Sequence, residues 1–541
     1  MNDKQPVYVL PENVQRMIGQ DAQRNNILAA RIIADTIKTT LGPKGMDKML
    51  VDSGGDIVIT NDGVTILEKM EIEHPVAKMM VEIAKTQEDE VGDGTTTAVM
   101  IAGKLLENAE NLLDKKIHPT VITKGYQMAS EQSLSILKEI ASRITTDDTN
   151  SLKQIAMTSM TGKGVESSKE KFAEIVVNAV KQIEDYGKIN LDNIKIEKVK
   201  GDSIKDTSLI SGVVLNSEKL NIEMPKIIEN AKIAIIDFSL ELKSPEIETK
   251  INISTPEQLQ GFIDSEERAL KEMIQIVRNT GANVVFCQKG IDDVAQYYLT
   301  KASVYACRRI SRSDIEKLSM ATGARIVSNL NELSSDDLGS AKRVEEMITG
   351  EKKMTYVSGC INPKAITIII RGGSDHVLDE VERGIRDSLG DVSAVLKDGM
   401  VVAGGGAVEI ELAKRLREFS QSLPGREQLA VEEFANALES IPIALSENAG
   451  LDPIDILTEL KAAHESVSGN GKNFGLNLFN NKIEDTFKAG IIEPLKVKTQ
   501  AISSSTEVAT MILRIDDVIA ANTKKHPYSD RNLPNKGFDF G

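Results

Sequence analysis

The hexapeptide Gly92-Asp93-Gly94-Thr95-Thr96-Thr97 sets two glycines, a carboxylate and three hydroxyls directly before a helix-periodic apolar run through Val99, Met100, Leu105, Leu106, Leu112 and Leu113. Glycines let backbone N–H groups come close to a ligand, and the start of a helix carries partial positive charge. Phosphate suits such a place. Asp93 would by itself repel phosphate, so its presence points to a bridging cation, most simply Mg²⁺. The chemistry expected here is a nucleotide–metal site.

Three more glycine-bearing turns compete as ligand loops: Leu41-Gly42-Pro43-Lys44-Gly45, Asn61-Asp62-Gly63 and Gly404-Gly405-Gly406. Taken singly, they read equally well as a helix stop, an ordinary tight turn and a helix start. None has the Gly-x-x-x-x-Gly-Lys-Ser/Thr of a P-loop or a dinucleotide fingerprint after a strand. Together they fit one site that uses several helix N-termini, provided residues near 42–97 meet residues near 405. Phosphate hydrolysis also needs a metal, a positioned water and charge neutralisation. Asp93 is the metal-ligand candidate. Asp62, on its turn, and Asp387, on a helix expected over 375–389, could orient the water. Lys163, in Thr161-Gly162-Lys163-Gly164, could neutralise the γ-phosphate. The plainer readings of Asp387 and Lys163 are a solvated helix charge and a surface lysine.

The elements that must position these residues follow from periodicity. A helix is expected over 20–40, with Ala22, Ile27, Ala30, Ile33, Ala34 and Ile37 on one side, stopped by Gly42 and Pro43. Lys48–Val51 and Asp56–Thr60 read as a hairpin, and 64–142 as mostly helical with starts at Pro75 and Pro119. A polar break at 145–150 precedes a helical run over 151–186. From 187 to 370, strand candidates at Lys232–Phe238, Asn283–Cys287, Arg325–Val327 and Ala365–Arg371 alternate with helices, the mark of an α/β module. Ser393–Leu396 and Met400–Val402 follow the 375–389 helix. Helical character returns over 407–468, at Leu495–Val497 and over 503–521. Helical ends thus flank an α/β middle, which reads as an insertion crossed twice by the chain. Residues 523–541 are polar and expected to fray. Residues 243–273 carry Ile247, Ile251, Ile253, Leu259, Phe262 and Ile263 among charges, broken by Pro245, Pro256 and Gly261. This stretch reads as an amphipathic excursion, either a surface loop and helix or a lid or partner-binding arm.

Composition narrows the class. A length of 541 residues suggests three to four domains. Trp is absent and aromatics are 4%, so Ile, Leu, Val, Ala and Met must fill the cores. A net charge of −16 argues against nucleic acid or an anionic membrane as the main partner. Cys287, Cys307 and Cys360 fit no zinc spacing and no disulfide framework, and the five histidines show no ligand spacing. No signal-peptide pattern and no 18-residue apolar run is present, so a cytoplasmic location is expected. A metabolic ATPase or kinase, or an ATP-regulated assembly protein, are the competing functional readings.

At this point a family resemblance emerges. Leu41-Gly42-Pro43-Lys44-Gly45-Met46-Asp47-Lys48, Asn61-Asp62-Gly63-Val64-Thr65-Ile66, Gly92–Thr97, Gly404–Gly406 and Val497-Lys498-Thr499-Gln500-Ala501 resemble, in order and spacing, the group II chaperonins of the archaeal thermosome type. The resemblance implies a multidomain α and α/β protein. A mainly helical, discontinuous equatorial ATPase domain would span 1–146 and 404–541, an α/β intermediate domain 147–216 and 369–403, and an α/β apical substrate-binding domain 217–368. The helical protrusion near 243–273 would be a built-in lid, with no separate cap co-chaperonin. The implied ligands are ATP and Mg²⁺, and the implied partners are non-native polypeptides and identical or paralogous subunits in a double ring. Phosphate contacts would come from the loops at Leu41, Gly42 and Pro43 and at Gly94, Thr95, Thr96 and Thr97. Asp93 would bind Mg²⁺, Asp62 and Asp387 would position water, and Lys163 would sense the γ-phosphate. Gly405, Gly406 and Glu493 would line the ribose and base pocket. The tail Asn535–Gly541 departs from the Gly/Met-rich ends of many relatives.

Overall fold

Helices from both ends of the chain build one hydrophobic core. In the computed structural model, which describes residues 14–145, 147–165, 168–185, 187–242, 255–350, 352–466 and 471–521, Gly19–Lys38, Pro75–Val91, Thr95–Asp114 and Pro119–Ile140 pack with Ala407–Gln421, Glu427–Leu438 and Leu495–Leu513. Thr95–Asp114 is central. Its buried residues fall on every side, as expected of a helix enclosed by others. Tyr126 donates its hydroxyl to the Leu105 carbonyl at 2.8 Å and meets Phe434 edge-on, so its one polar atom is satisfied in the core. Pro75 and Pro119 do open helices. The preceding His74 and His118 act as caps, their Nδ1 atoms accepting from the Val76 and Thr120 amides. That gives two of the five histidines a structural role.

A second core joins residues 152–194 to residues 366–401. Thr149–Met160, Lys169–Ile183 and Asp375–Asp398 cover a three-stranded sheet. In it Ile366–Gly372 runs parallel to Ile194–Lys200 and antiparallel to Ser208–Ile210. Between the two cores, Met400–Ala403 pairs antiparallel with Ile492–Pro494 and with Ser142–Arg143.

Residues 213–365 form a third region around a seven-stranded sheet with Ile227–Ile236 near its centre. Strand alternation explains its two faces. Ile233 and Ile235 pack with the Arg312–Thr322 helix, while Ala234 and Ile236 pack with Pro256–Asn279 and Asp293–Lys301. Cys287, Cys307 and Cys360 are buried and free.

Several expectations need correction. The helical run over 151–186 is two helices separated at Thr161–Gly164 by a turn rich in small residues. The helix after Ser374 continues to Asp398, so Ser393–Leu396 is helical. Its Val and Ala side chains serve a buried helix face equally well. Residues 517–521 form a strand, not helix, because the antiparallel partner Val14–Ile18 lies ready to pair with it. Leu495–Val497 opens a single helix that reaches Leu513. The 407–466 region is four helices, parted at Pro424-Gly425, at Glu439 and at Gly450. Pro256 and Gly261 do not break the 243–273 stretch throughout. Pro256 occupies the first turn of Pro256–Asn279 behind a Thr255 cap, and Gly261 lies inside that helix. Thr146, residues 243–254 and the 523–541 tail, including Asn535–Gly541, lie outside the described residues.

Candidate nucleotide site

Two helix N-termini open into one cavity of about 520 Å³, a size suited to a small-molecule ligand. Thr95–Asp114 follows Gly94 and Ala407–Gln421 follows Gly406, and neither carries a side-chain cap. Their first amides are therefore not claimed by a capping side chain and are suited to an anion. Gly94 is required where it stands. Its φ is +81°, and a Cβ there would come within 2.6 Å of Val497 Cγ1. Asp93 is pinned from both sides. Its carbonyl accepts from Gln87 Nε2 at 2.8 Å, and its Oδ1 accepts from the Gly94 amide at 2.8 Å. Gln87 Nε2 also donates to the Val497 carbonyl at 3.2 Å, tying this loop to the Leu495–Leu513 helix.

Asp62 caps the Gly63–Lys69 helix. Its Oδ2 accepts from the Thr65 amide at 2.9 Å and the Thr65 hydroxyl at 2.6 Å, so the carboxylate is held in one orientation. The neighbouring Asn61 side-chain amide donates to the Gly162 carbonyl, which brings the Thr161–Gly164 turn onto this loop. Lys163 on that turn pairs with Asp387 Oδ2 and lies 3.5 Å from Asp93 Oδ1. Asp387 comes from Asp375–Asp398, and Gly390 lets that helix approach. A Cβ at 390 would overlap the Val91 carbonyl and crowd Gly92. Gly390→Ala is therefore expected to push the helix off the Asp93 loop. Overpacking of about 1–3 kcal/mol, borne by the geometry around Asp387, corresponds to a turnover loss of roughly 5- to 150-fold. ADP affinity without metal should be nearly unchanged, and phosphate-release kinetics with nucleotide titration would read both.

Every site residue expected from the sequence lines this cavity: Leu41, Gly42, Pro43, Asp62, Asp93, Gly94, Thr95, Thr96, Thr97, Lys163, Asp387, Gly405, Gly406 and Glu493. Their side chains do not all point to simple contacts. Glu493 Oε2 is bound to Lys498 at 2.6 Å, and Lys498 also pairs with buried Glu409 at 2.9 Å. Sequence reasoning assigned no role to Lys498, Glu409, Glu88, Gln87, Asn61 or Asp391. Asp387 and Asp391 are four apart on one helix, a spacing that puts both carboxylates on one face.

The electrostatics are dominated by carboxylates. Burial pushes Asp387 up to about 7, with Asp93 and Asp62 adding to the rise and Lys163 opposing it. Burial, then Asp387 and Asp62, push Glu88 up to about 8. Asp391 is raised well above the usual carboxylate range by burial and by Asp93. Burial alone would lower Lys163, but Asp387 and Asp93 outweigh it and hold the ammonium charged. One lysine thus faces several acids, a balance that favours an added cation. Among the described residues no three Asp, Glu, His or Cys side chains converge as a metal cage. Mg²⁺ ordinarily takes one or two carboxylates plus phosphate oxygens and waters.

The chain is thus closed from both ends around an inserted α/β region, with a glycine-lined cavity at the closure. The model of the TCP-1/cpn60 chaperonin family matches residues 33–523, and the chain belongs to that family. Over 523 residues it is 57% identical to the thermosome subunit of Methanopyrus kandleri, covering 96% of this chain and 95% of that one. It is 58% identical to the thermosome subunit beta of Archaeoglobus fulgidus (96% and 95%) and 56% identical to the subunit alpha of the same organism (95% and 95%). These likenesses place it in the group II, thermosome branch. No described helix is long and apolar enough to cross a membrane.

Proposed function

We propose that the chain is an ATP-hydrolysing subunit of a double-ring chaperonin whose built-in lid closes over non-native polypeptides. The observation that carries this reading is the joining of Asp93, between uncapped helix starts, to Asp387 and Lys163 from the second core. Residues 1–146 and 404–541 would act as the equatorial ATPase domain, 147–216 and 369–403 as the intermediate domain, and 217–368 as the apical domain. The amides at Gly94–Thr97 and Gly405–Gly406 would hold phosphate, with Leu41, Gly42 and Pro43 against it. Asp93 would hold Mg²⁺, which when bound supplies charge neutralisation on the phosphates. Asp62, fixed by its cap, and Asp387 would orient the attacking water, and Asp387 would accept its proton. Lys163 would exchange part of its pairing with Asp93 and Asp387 for the γ-phosphate. Glu493 would face the sugar.

Coupling follows from where these groups sit. Asp387 and Lys163 belong to elements other than those carrying the phosphate amides, so nucleotide makes contacts that depend on how the two cores lie. Such differential contacts are what a ligand-driven switch requires. In the apical region the exposed Leu259, Phe262 and Ile263 on the first turns of Pro256–Asn279 offer apolar surface for a lid seam or a client. Identical or paralogous subunits would complete the rings, without a separate cap. Negative-stain microscopy with an assay of Mg²⁺-dependent phosphate release tests the proposal. Stacked rings with turnover support it. A monomer without turnover contradicts it.

A further inference from the structure

Asp391 stands in the wall of the nucleotide cavity with one carboxylate oxygen unpaired. It is 3% exposed, and its Oδ1 accepts no hydrogen bond among the described residues. It lines the same cavity as Asp93, one helical turn beyond Asp387. The charged groups that act on it most strongly are Asp93, Lys163, Asp387 and Glu493, of which only Lys163 is a cation. Lys163 is already engaged by Asp387 and Asp93. A buried carboxylate oxygen with no donor costs stability and calls for an explanation.

We propose that Asp391 is a second anchor for the divalent cation held by Asp93, gripping a water of the cation's hydration shell from the helix side. Mg²⁺ keeps several waters when bound, and those waters are donors of the kind Asp391 lacks. Outer partners of this type set the orientation and affinity of the metal. The geometry also gives Gly390 a second meaning. The glycine that lets the helix approach Val91 and Gly92 brings Asp391 with it. The cation would then be held from both sides of the seam between the two cores, by Asp93 on the loop and Asp391 on the Asp375–Asp398 helix.

This inference rests on the nucleotide–metal reading of the cavity, and the test separates the two. Mn²⁺ binding to the assembled, full-length protein with ADP is followed by electron paramagnetic resonance, with ADP affinity in EDTA as control. For Asp391→Asn the expected result is Mn²⁺ affinity lowered by ~10–100-fold and unchanged ADP affinity in EDTA. Should the Asn variant fail to assemble, Asp391→Ser gives the same comparison. Unchanged Mn²⁺ affinity in a folded variant overturns the role of Asp391 while leaving the nucleotide site standing. No ADP-dependent Mn²⁺ binding in the unaltered protein overturns both.

Discussion

Asp387→Asn is expected to lower steady-state ATP turnover by ~10²–10⁴-fold, the range associated with loss of a positioned general base, while ATP binds as tightly as before or more so. Asparagine keeps the shape of a side chain that is almost fully buried, so packing survives. Lys163 loses its main partner but still has Asp93 at 3.5 Å, so its ammonium is not left alone. Removing one negative charge from a cavity that must accept polyphosphate cannot weaken the electrostatic part of binding. A pH signature accompanies this. Burial pushes the Asp387 carboxyl up to about 7, and the base must be ionised to accept a proton. Turnover of the unaltered protein should therefore rise as pH increases through about 7, and the residual turnover of the variant should lack that limb. Stability runs the other way. The unfolded chain loses this proton near 3.8 and the folded one not until about 7, so the group lowers stability as pH rises between those values. Unchanged turnover, or ATP affinity lost in parallel with turnover, would contradict the role given to Asp387.

Lys498→Met is expected to produce the largest loss of stability, about 3–5 kcal/mol, the cost of leaving buried charges without their counter-ion. Lys498 sits between Glu409 and Glu493, and both Lys498 and Glu409 are buried. Burial alone would lower the lysine, but the two glutamates outweigh it and hold the ammonium charged. Without it, two carboxylates would repel each other behind the Gly404–Gly406 turn, where Glu493 Oε1 already lies close to Gly404. Adding Glu409→Gln to Lys498→Met should recover much of the loss, because the remaining Glu493 can reach water in the cavity. Thermal denaturation of the single and double variants reads this directly. A single variant as stable as the unaltered protein, or a double variant no better than the single, would show that the cluster is not held by charge pairing.

The glycine turns and the apolar periodicity made much of the fold legible. Pro75 and Pro119 open helices because proline suits the first turn and a histidine can cap it. The hairpin at Lys48–Val51 and Ile57–Thr60 follows from the glycines between its strands. The four strand candidates of the middle region fall on strands of the structure because β-branched runs there are bounded by turn residues. What the sequence concealed depends on long-range partners. The Asp517–Ala521 strand needs Val14–Ile18 from the far end of the chain. Ser393–Leu396 carries strand-like residues, yet it completes a helix whose face is buried by the second core. At the cavity, the glycine- and hydroxyl-bearing turns that line it were readable from local spacing. Lys498, Glu88 and Asp391 were not, because a buried acid or lysine looks like any surface charge until its neighbours are known. Asp391 had one faint signal, its four-residue spacing from Asp387 on a single helix.

Nucleotide chemistry at the seam between the two cores is proposed to drive a folding chamber. The most direct test is the refolding yield of a chemically denatured client incubated with the purified assembly in Mg²⁺-ATP, compared with Mg²⁺-ADP. Recovery of client activity is expected with ATP alone, and Asp387→Asn is expected to abolish it. Equal recovery with ADP, or none with ATP from a protein that binds and hydrolyses it, would contradict the claim.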